Sequence, residues 1–284
     1  MDIKVLHISS NDRYNKNNKH TNFQYNLKEK IKDVIHIRLS SIELPNVSYL
    51  FDYNLYDNTK FSLIYGGVEY EIIIQDGNYT SSQLIDKINE LLTSESLPVS
   101  LDLEVPSGIC IFTGSDDYRL LFPKTKNSSL GTHLGFNNIE YENEIGNYEY
   151  RSESILNVLG SHIYFLELNG WGKVVTNFSN NIFAKIISYT DKYTIIFNDS
   201  SNCITKDVFF DQPININNLY VKIYNEDGNL VDLRGLPFSF TLEVSYLNNG
   251  YIKNEIIKNG LFKENSGTKL GDFIQYLKMK KMLN

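Results

Sequence analysis

The chain has 284 residues and 32.8 kDa, enough for one large domain or two ordinary ones, and its net charge of −7 with a pI near 5.3 excludes binding to nucleic acid by bulk positive charge. With 42% hydrophobic and 21% charged residues it has the composition of a globular protein, neither disordered nor fibrous. A single alanine, Ala184, set against 34 Asn, 31 Ile, 20 Tyr and 16 Phe, excludes a helical bundle, because alanine is the strongest helix former whereas Ile, Tyr and Phe favour strands.

The N-terminal stretch Met1-Asp-Ile-Lys-Val-Leu-His lacks the apolar run of a signal peptide, and nowhere does the sequence approach the roughly 18 apolar residues of a membrane span. Residues 11–20 are polar and rich in turn formers and read as a loop. Phe23, Tyr25 and Leu27 then alternate with Asn22, Gln24 and Asn26, the period of a half-buried strand. A second strand spans 34–44 and stops at Pro45. Residues 60–65 and 68–74 flank Gly66-Gly67, a hairpin signal. Leu84, Ile85, Ile88, Leu91 and Leu92 repeat at three and four residues, which predicts an amphipathic helix over 81–92. Thr80, Ser81 and Ser82 are its candidate N-caps. Strands follow at 99–103, 108–113 and 120–122, and the stretch 130–136 closes a first α+β module over 1–136.

Residues 137–154 turn acidic and aromatic, with Glu140, Glu142, Glu144, Glu149 and Glu153 among Tyr141, Tyr148 and Tyr150, and read as a linker or exposed long loop. Strand rhythm returns at 162–168, 182–187, 193–197, 219–224 and 238–244, with a hairpin-type turn at Asp227-Gly228. Short strands separated by Gly, Asn and Pro turns are the signature of a β-sandwich, jelly-roll-like, here over 155–246. The fold class expected is thus mainly β. Residues 247–284 carry seven Lys against Glu255, Glu264 and Asp272, a local +4 where the rest of the chain carries −11. Phe273, Ile274, Leu277 and Met282 stand at near-helical spacing beside Lys278, Lys280 and Lys281, so the end reads as a basic, weakly amphipathic tail. It serves either as a solubilising terminus or as an arm, and docking on an acidic neighbouring subunit leads over contact with a genome or an anionic membrane.

Catalytic signatures are not found. No two of His7, His20, His36, His133 and His162 stand at metal-ligand spacing, and there is no Gly-x-Ser-x-Gly elbow. Gly66-Gly67 and Gly170-Trp171-Gly172 are explained by turns and form no phosphate loop. The acidic stretch lacks the spacing of a calcium loop. Cys110 and Cys203 lie far apart and are read as unpaired, as in a reducing compartment. No catalytic residue, metal or cofactor is expected.

Several blocks taken together resemble a known family. His7-Ile-Ser-Ser-Asn-Asp-Arg-Tyr, Thr21-Asn-Phe-Gln-Tyr-Asn-Leu, Ile37-Arg-Leu-Ser-Ser-Ile-Glu-Leu-Pro-Asn, Asp76-Gly-Asn-Tyr-Thr-Ser-Ser-Gln-Leu-Ile and Leu134-Gly-Phe resemble the N-terminal part of structural proteins of nucleocytoplasmic large DNA viruses. Phe183-Ala-Lys-Ile, Phe209-Phe-Asp-Gln-Pro, the run from Leu219 to Asp232 and Phe238-Ser-Phe-Thr-Leu-Glu-Val are similar to the minor capsid or penton-type β-proteins of the same viruses. A 22-to-5 excess of Lys over Arg, with abundant Asn, Ile and Tyr, fits an A/T-rich genome. The resemblance implies a non-enzymatic virion structural protein, assembled in the host cytoplasm with other capsid proteins and with copies of itself, and without sequence-specific nucleic-acid binding. On that reading Tyr14, Tyr141, Tyr148, Tyr150 and Trp171 are interface anchors, with Lys278, Lys280 and Lys281 in the tying arm. The alternatives are a receptor- or glycan-binding fibre protein and a carbohydrate-active enzyme on a jelly-roll scaffold, which would need two carboxylates in a cleft.

Overall fold

The computed structural model describes residues 1–123, 129–142, 148–199, 201 and 207–247. In chain order the elements are β1 (Asp2–Ser9), β2 (Asn22–Pro45), β3 (Lys60–Tyr65), β4 (Val68–Ile73), α1 (Ser81–Ser94), β5 (Val99–Glu104), β6 (Ile109–Gly114), β7 (Tyr118–Leu121), the four-residue α2 (Leu130–His133), β8 (Glu140–Glu142), β9 (Glu149–Ile155), β10 (Ile163–Leu168), β11 (Ile182–Ile187), β12 (Ile195–Asp199), β13 (Asp207–Asn225) and β14 (Ser239–Tyr246). The strands pair antiparallel throughout, so the chain is mainly β, as its composition predicts.

The described residues form two units, one of residues 1–48 with 161–247 and one of 49–160. This division differs from the modules 1–136 and 155–246 expected from sequence. The reason is pairing at long range: β1 lies along β14, and β2 lies between β14 and β13, so the first 48 residues fold with the last strands. The stretch 137–154 is likewise more than the expected linker or loop. It holds β8 and β9, because alternation sends Tyr150 and Ser152 inward while Glu149, Arg151 and Glu153 face water.

In the first unit the sheet order is β1-β14-β2-β13-β10-β11, with β12 also paired to β2. Sequence periodicity shows the two ends of β2 as separate strands, yet they are one 24-residue strand. Three register shifts interrupt its pairing with β13 between Phe209 and Asn218, where Pro213 donates no hydrogen bond and Asp33 of β2 adopts φ +55°. These bulges bend both long strands and split the sheet into two halves. A front half contains β1, β14, β12 and residues 34–45 of β2. A back half contains residues 22–31 of β2, the later part of β13, β10 and β11. Ile8, Ile37, Leu39, Phe240 and Leu242 from the front and Phe23, Leu166, Phe183, Val221 and Ile223 from the back share one fully buried core, the arrangement of a β-sandwich. Asn198 of β12 joins the halves with its amide, accepting from Ile187 N and donating to Ile187 O, both at 2.9 Å.

The second unit has a four-stranded sheet, β4-β3-β7-β8, and a three-stranded sheet, β5-β6-β9. The predicted helix is present two residues longer than expected. Thr80 is its cap: Thr80 Oγ1 accepts from Gln83 N, and Gln83 Oε1 accepts from Thr80 N at 3.0 Å. Leu84, Ile85, Ile88 and Leu92 bury its apolar stripe, and Asn89 clamps Leu101 of β5 through both backbone groups at 2.8 Å. Phe61, Phe112, Phe122 and Phe136, all fully buried, stack and tilt against one another at the centre, and Phe51, also fully buried, packs edge-on to Tyr79 and His133. Gly135 has φ +91°, and a Cβ there would stand 2.0 Å from Ser154 O, which explains the glycine in Leu134-Gly135-Phe136. Cys110 is a free thiol in this core, its pKa pushed up to about 12 by burial; Cys203 lies outside the described residues.

Candidate interface surfaces

The register of the front half lines up its outward side chains in four rows. From β1 across β14 and β2 they read Ile3, Ser245, His36, Phe209; then Val5, Glu243, Arg38, Asp207; then His7, Thr241, Ser41, Asp199; then Ser9, Ser239, Glu43, Phe197. Apolar groups stand at the margins, with Ile3, Val5 and Phe197 all more than half exposed, and hydrogen-bonding groups fill the middle. Glu243 accepts from Ser40 Oγ at 2.8 Å, and Glu43 accepts from Ser41 Oγ at 3.0 Å and Ser239 Oγ at 2.9 Å. β1 is an edge strand, with one side of its backbone unpaired by any described strand.

Ser245, His36 and Asp207 follow one another in the order of a nucleophile, a base and an acid. The geometry serves packing instead. Ser245 is 4% exposed, its Oγ is 3.5 Å from His36 Nδ1, and Phe209 covers the imidazole with ring centroids 4.1 Å apart. Burial lowers the pKa of His36, and Asp207 Oδ2, 3.6 Å from Nε2, opposes that shift. Lys192 is a second buried cationic group: its Nζ donates to Ser48 O at 2.9 Å, and burial pulls its pKa down to about 8.

In the second unit the four-stranded sheet also shows an outward face. Glu71, Ser62, Leu121 and Glu140 form one row, and Glu69, Ile64, Arg119 and Glu142 the next. Arg119 is paired with both Glu140 and Glu142, and Lys60 with Glu71 at 3.0 Å. Ile64, Ile73 and Leu121 lie in neither core. Residues 49–160 contain seventeen Asp and Glu against six Lys and Arg, so this unit holds −11, residues 1–48 with 161–247 sum to neutral, and the tail holds +4.

The expected anchors divide. Tyr14 is 71% exposed, as an anchor requires. Trp171 is half-buried, edge-on to Phe210 at 5.4 Å against the core of the first unit. Tyr141 and Tyr148 are half-buried against the core of the second unit, and Tyr141 Oη donates to Glu153 at 2.8 Å. Tyr150 is 7% exposed, donates to Tyr118 O at 2.8 Å and has its phenol pushed up to about 12 by burial, which makes it a core residue. The neighbouring glutamates mark only the outward half of the same alternation. Lys278, Lys280 and Lys281 lie outside the described residues. Sequence reasoning missed Ile3, Val5 and Phe197, whose exposure follows from register alone. Among the described residues there is no group of three or more His, Cys, Asp or Glu that could hold a metal ion, and no helix long and apolar enough to cross a membrane.

No protein-family model matches the chain, and no curated protein matches it. Among solved structures it is similar to the crystal structure of SeMet-labeled mavirus penton protein, with a TM-score of 0.46 and 10% identity over 87% of this chain and 100% of that one.

Proposed function

We propose that the chain is a non-enzymatic virion structural protein, a minor capsid or penton-like component that assembles with other capsid proteins of a large DNA virus and with copies of itself. The observation that carries this reading is the front half of the first unit: an outward sheet face that ends in an open edge strand with Ile3 and Val5 pointing to water. An unprotected apolar edge is a liability in a protein that stays alone and an asset in one that is covered by a neighbour. Most of the capsid-type sequence blocks fall on this unit, at β1, β2, β11, β13 and β14, while Asp76–Ile85 and Leu134-Gly-Phe lie in the second unit. The remaining charge, segregated between an acidic unit and a basic tail, suits subunits that meet other subunits.

The test is incorporation. In cells infected with the virus that encodes it, the tagged chain is expected in purified particles, and removal of residues 248–284 leaves a folded body whose incorporation falls at least several-fold. Absence of the intact chain from particles refutes the structural role. Normal incorporation of the truncated chain refutes the part assigned to the tail.

A further inference from the structure

The outward face of the sheet β4-β3-β7-β8 combines two features that fit one kind of occupant. Its two central strands present Ile64 and Leu121 together with Ser62 and Arg119, Ile73 stands exposed on β4, and none of the three apolar residues joins a core. Its margins are acidic, Glu69 and Glu71 on β4 and Glu140 and Glu142 on β8. Lys60 pairs with Glu71 and Arg119 with both Glu140 and Glu142, so the outward groups of the face, two cations against four carboxylates, keep a net −2 within a unit of −11. A segment that covers this face is matched by apolar side chains over Ile64, Leu121 and Ile73 and by cations toward the carboxylates of both margins.

The chain contains such a segment. Residues 248–284 carry +4, and their end sets Phe273, Ile274, Leu277 and Met282 among Lys278, Lys280 and Lys281. Thirty-seven residues span up to roughly 120 Å when extended, ample to reach another molecule. We propose that the outward face of β4-β3-β7-β8 is the docking site for residues 248–284 of a neighbouring copy, so that copies join tail to sheet. This inference rests on the assembly reading above and names the surface that the tail engages. Such a contact is heterologous: it closes into a ring where the rotation between copies allows.

Zero-length carbodiimide coupling of the full chain tests it, because the reagent joins lysine amines to carboxylates already in contact. Unlabelled and ¹⁵N-labelled chains are mixed, coupled and digested. Mixed-isotope peptides joining Lys278, Lys280 or Lys281 to Glu69, Glu71, Glu140 or Glu142 are expected, and they disappear in 0.5 M NaCl. The doubly substituted Glu69→Lys/Glu140→Lys chain, checked for its fold by circular dichroism, is expected to self-associate about tenfold more weakly by light scattering; Glu69→Gln/Glu140→Gln gives a smaller loss in the same direction. Tail lysines joined to other carboxylates, joined only within one isotopic chain, or not joined at all overturn the docking site. If the chain still associates and enters particles in those cases, the assembly reading survives without it; a chain that stays monomeric and outside particles loses both.

Discussion

At the scale of single residues, His36 shows how the front face couples packing to pH. Burial under Phe209 disfavours its cation, Arg38 adds to that, and Asp207 and Glu243 oppose it with the net shift downward. A folded-state pKa below the unfolded value of 6.5 means that the unfolded chain binds the proton more readily, so stability is complete above pH 6.5 and falls as the pH drops toward the folded pKa. His20, hydrogen-bonded to Ser10 Oγ at 2.8 Å and lowered by burial, Arg13 and Lys16, acts with the same sign. Urea midpoints at pH 7.5 and 5.0 are therefore expected to differ, and His36→Phe, which keeps the ring stack, is expected to shrink that difference; an unchanged difference would show that His36 is not a source of it. The asparagines answer a compositional question at the same scale. Asn89, Asn198 and Asn169 each satisfy both a backbone N–H and a backbone C=O, standing in for a missing ladder partner, so the abundance of Asn has a structural use beside any genomic bias.

At the scale of elements, α1 depends on signals within a dozen residues. Thr80→Ala removes one arm of its capping box and is expected to lower stability by about 1 kcal/mol, with Thr80→Ser nearly neutral, as urea unfolding measures. The same locality explains what was legible beforehand. The helix, the hairpin of β3 and β4, and the turn at Asp227-Gly228 all announce themselves in sequence because periodicity and turn chemistry act between near neighbours. β2 did not appear as one strand because Lys28-Glu-Lys-Ile-Lys-Asp interrupts its alternation where the structure bends. β1 was missed because its apolar residues fall on both faces, Ile3 and Val5 outward and Leu6 and Ile8 inward. The interface rows need cross-strand register between residues some 200 apart, such as Val5 with Glu243 and Arg38 with Glu243, and no local pattern encodes that. Tyr150 was misplaced for the opposite reason, a local cue of neighbouring glutamates that reported only the outward face of β9.

At the scale of the whole molecule, the chain leaves the first unit after Ser48 and returns to it at Ser161, and each unit closes its own hydrophobic core. A segment with its own core, two sheets and a capped helix has what it needs to fold without the strands on either side. Residues 49–160 expressed alone are therefore expected to unfold in a single cooperative transition, with the far-ultraviolet signal and tyrosine fluorescence following the same curve. Charge sets the second half of the expectation. Seventeen acidic against six basic residues put −11 on 112 residues, a self-repulsion that salt screens, whereas the rest of the described chain is close to neutral. Raising NaCl from 10 to 200 mM is then expected to stabilise the isolated segment, measured as a higher urea midpoint. If the midpoint does not rise, the ion pairs of Arg119, Arg151 and Lys60 already balance the surface locally, and the acidic margins of β4 and β8 lose the unbalanced field that would draw a basic tail to them.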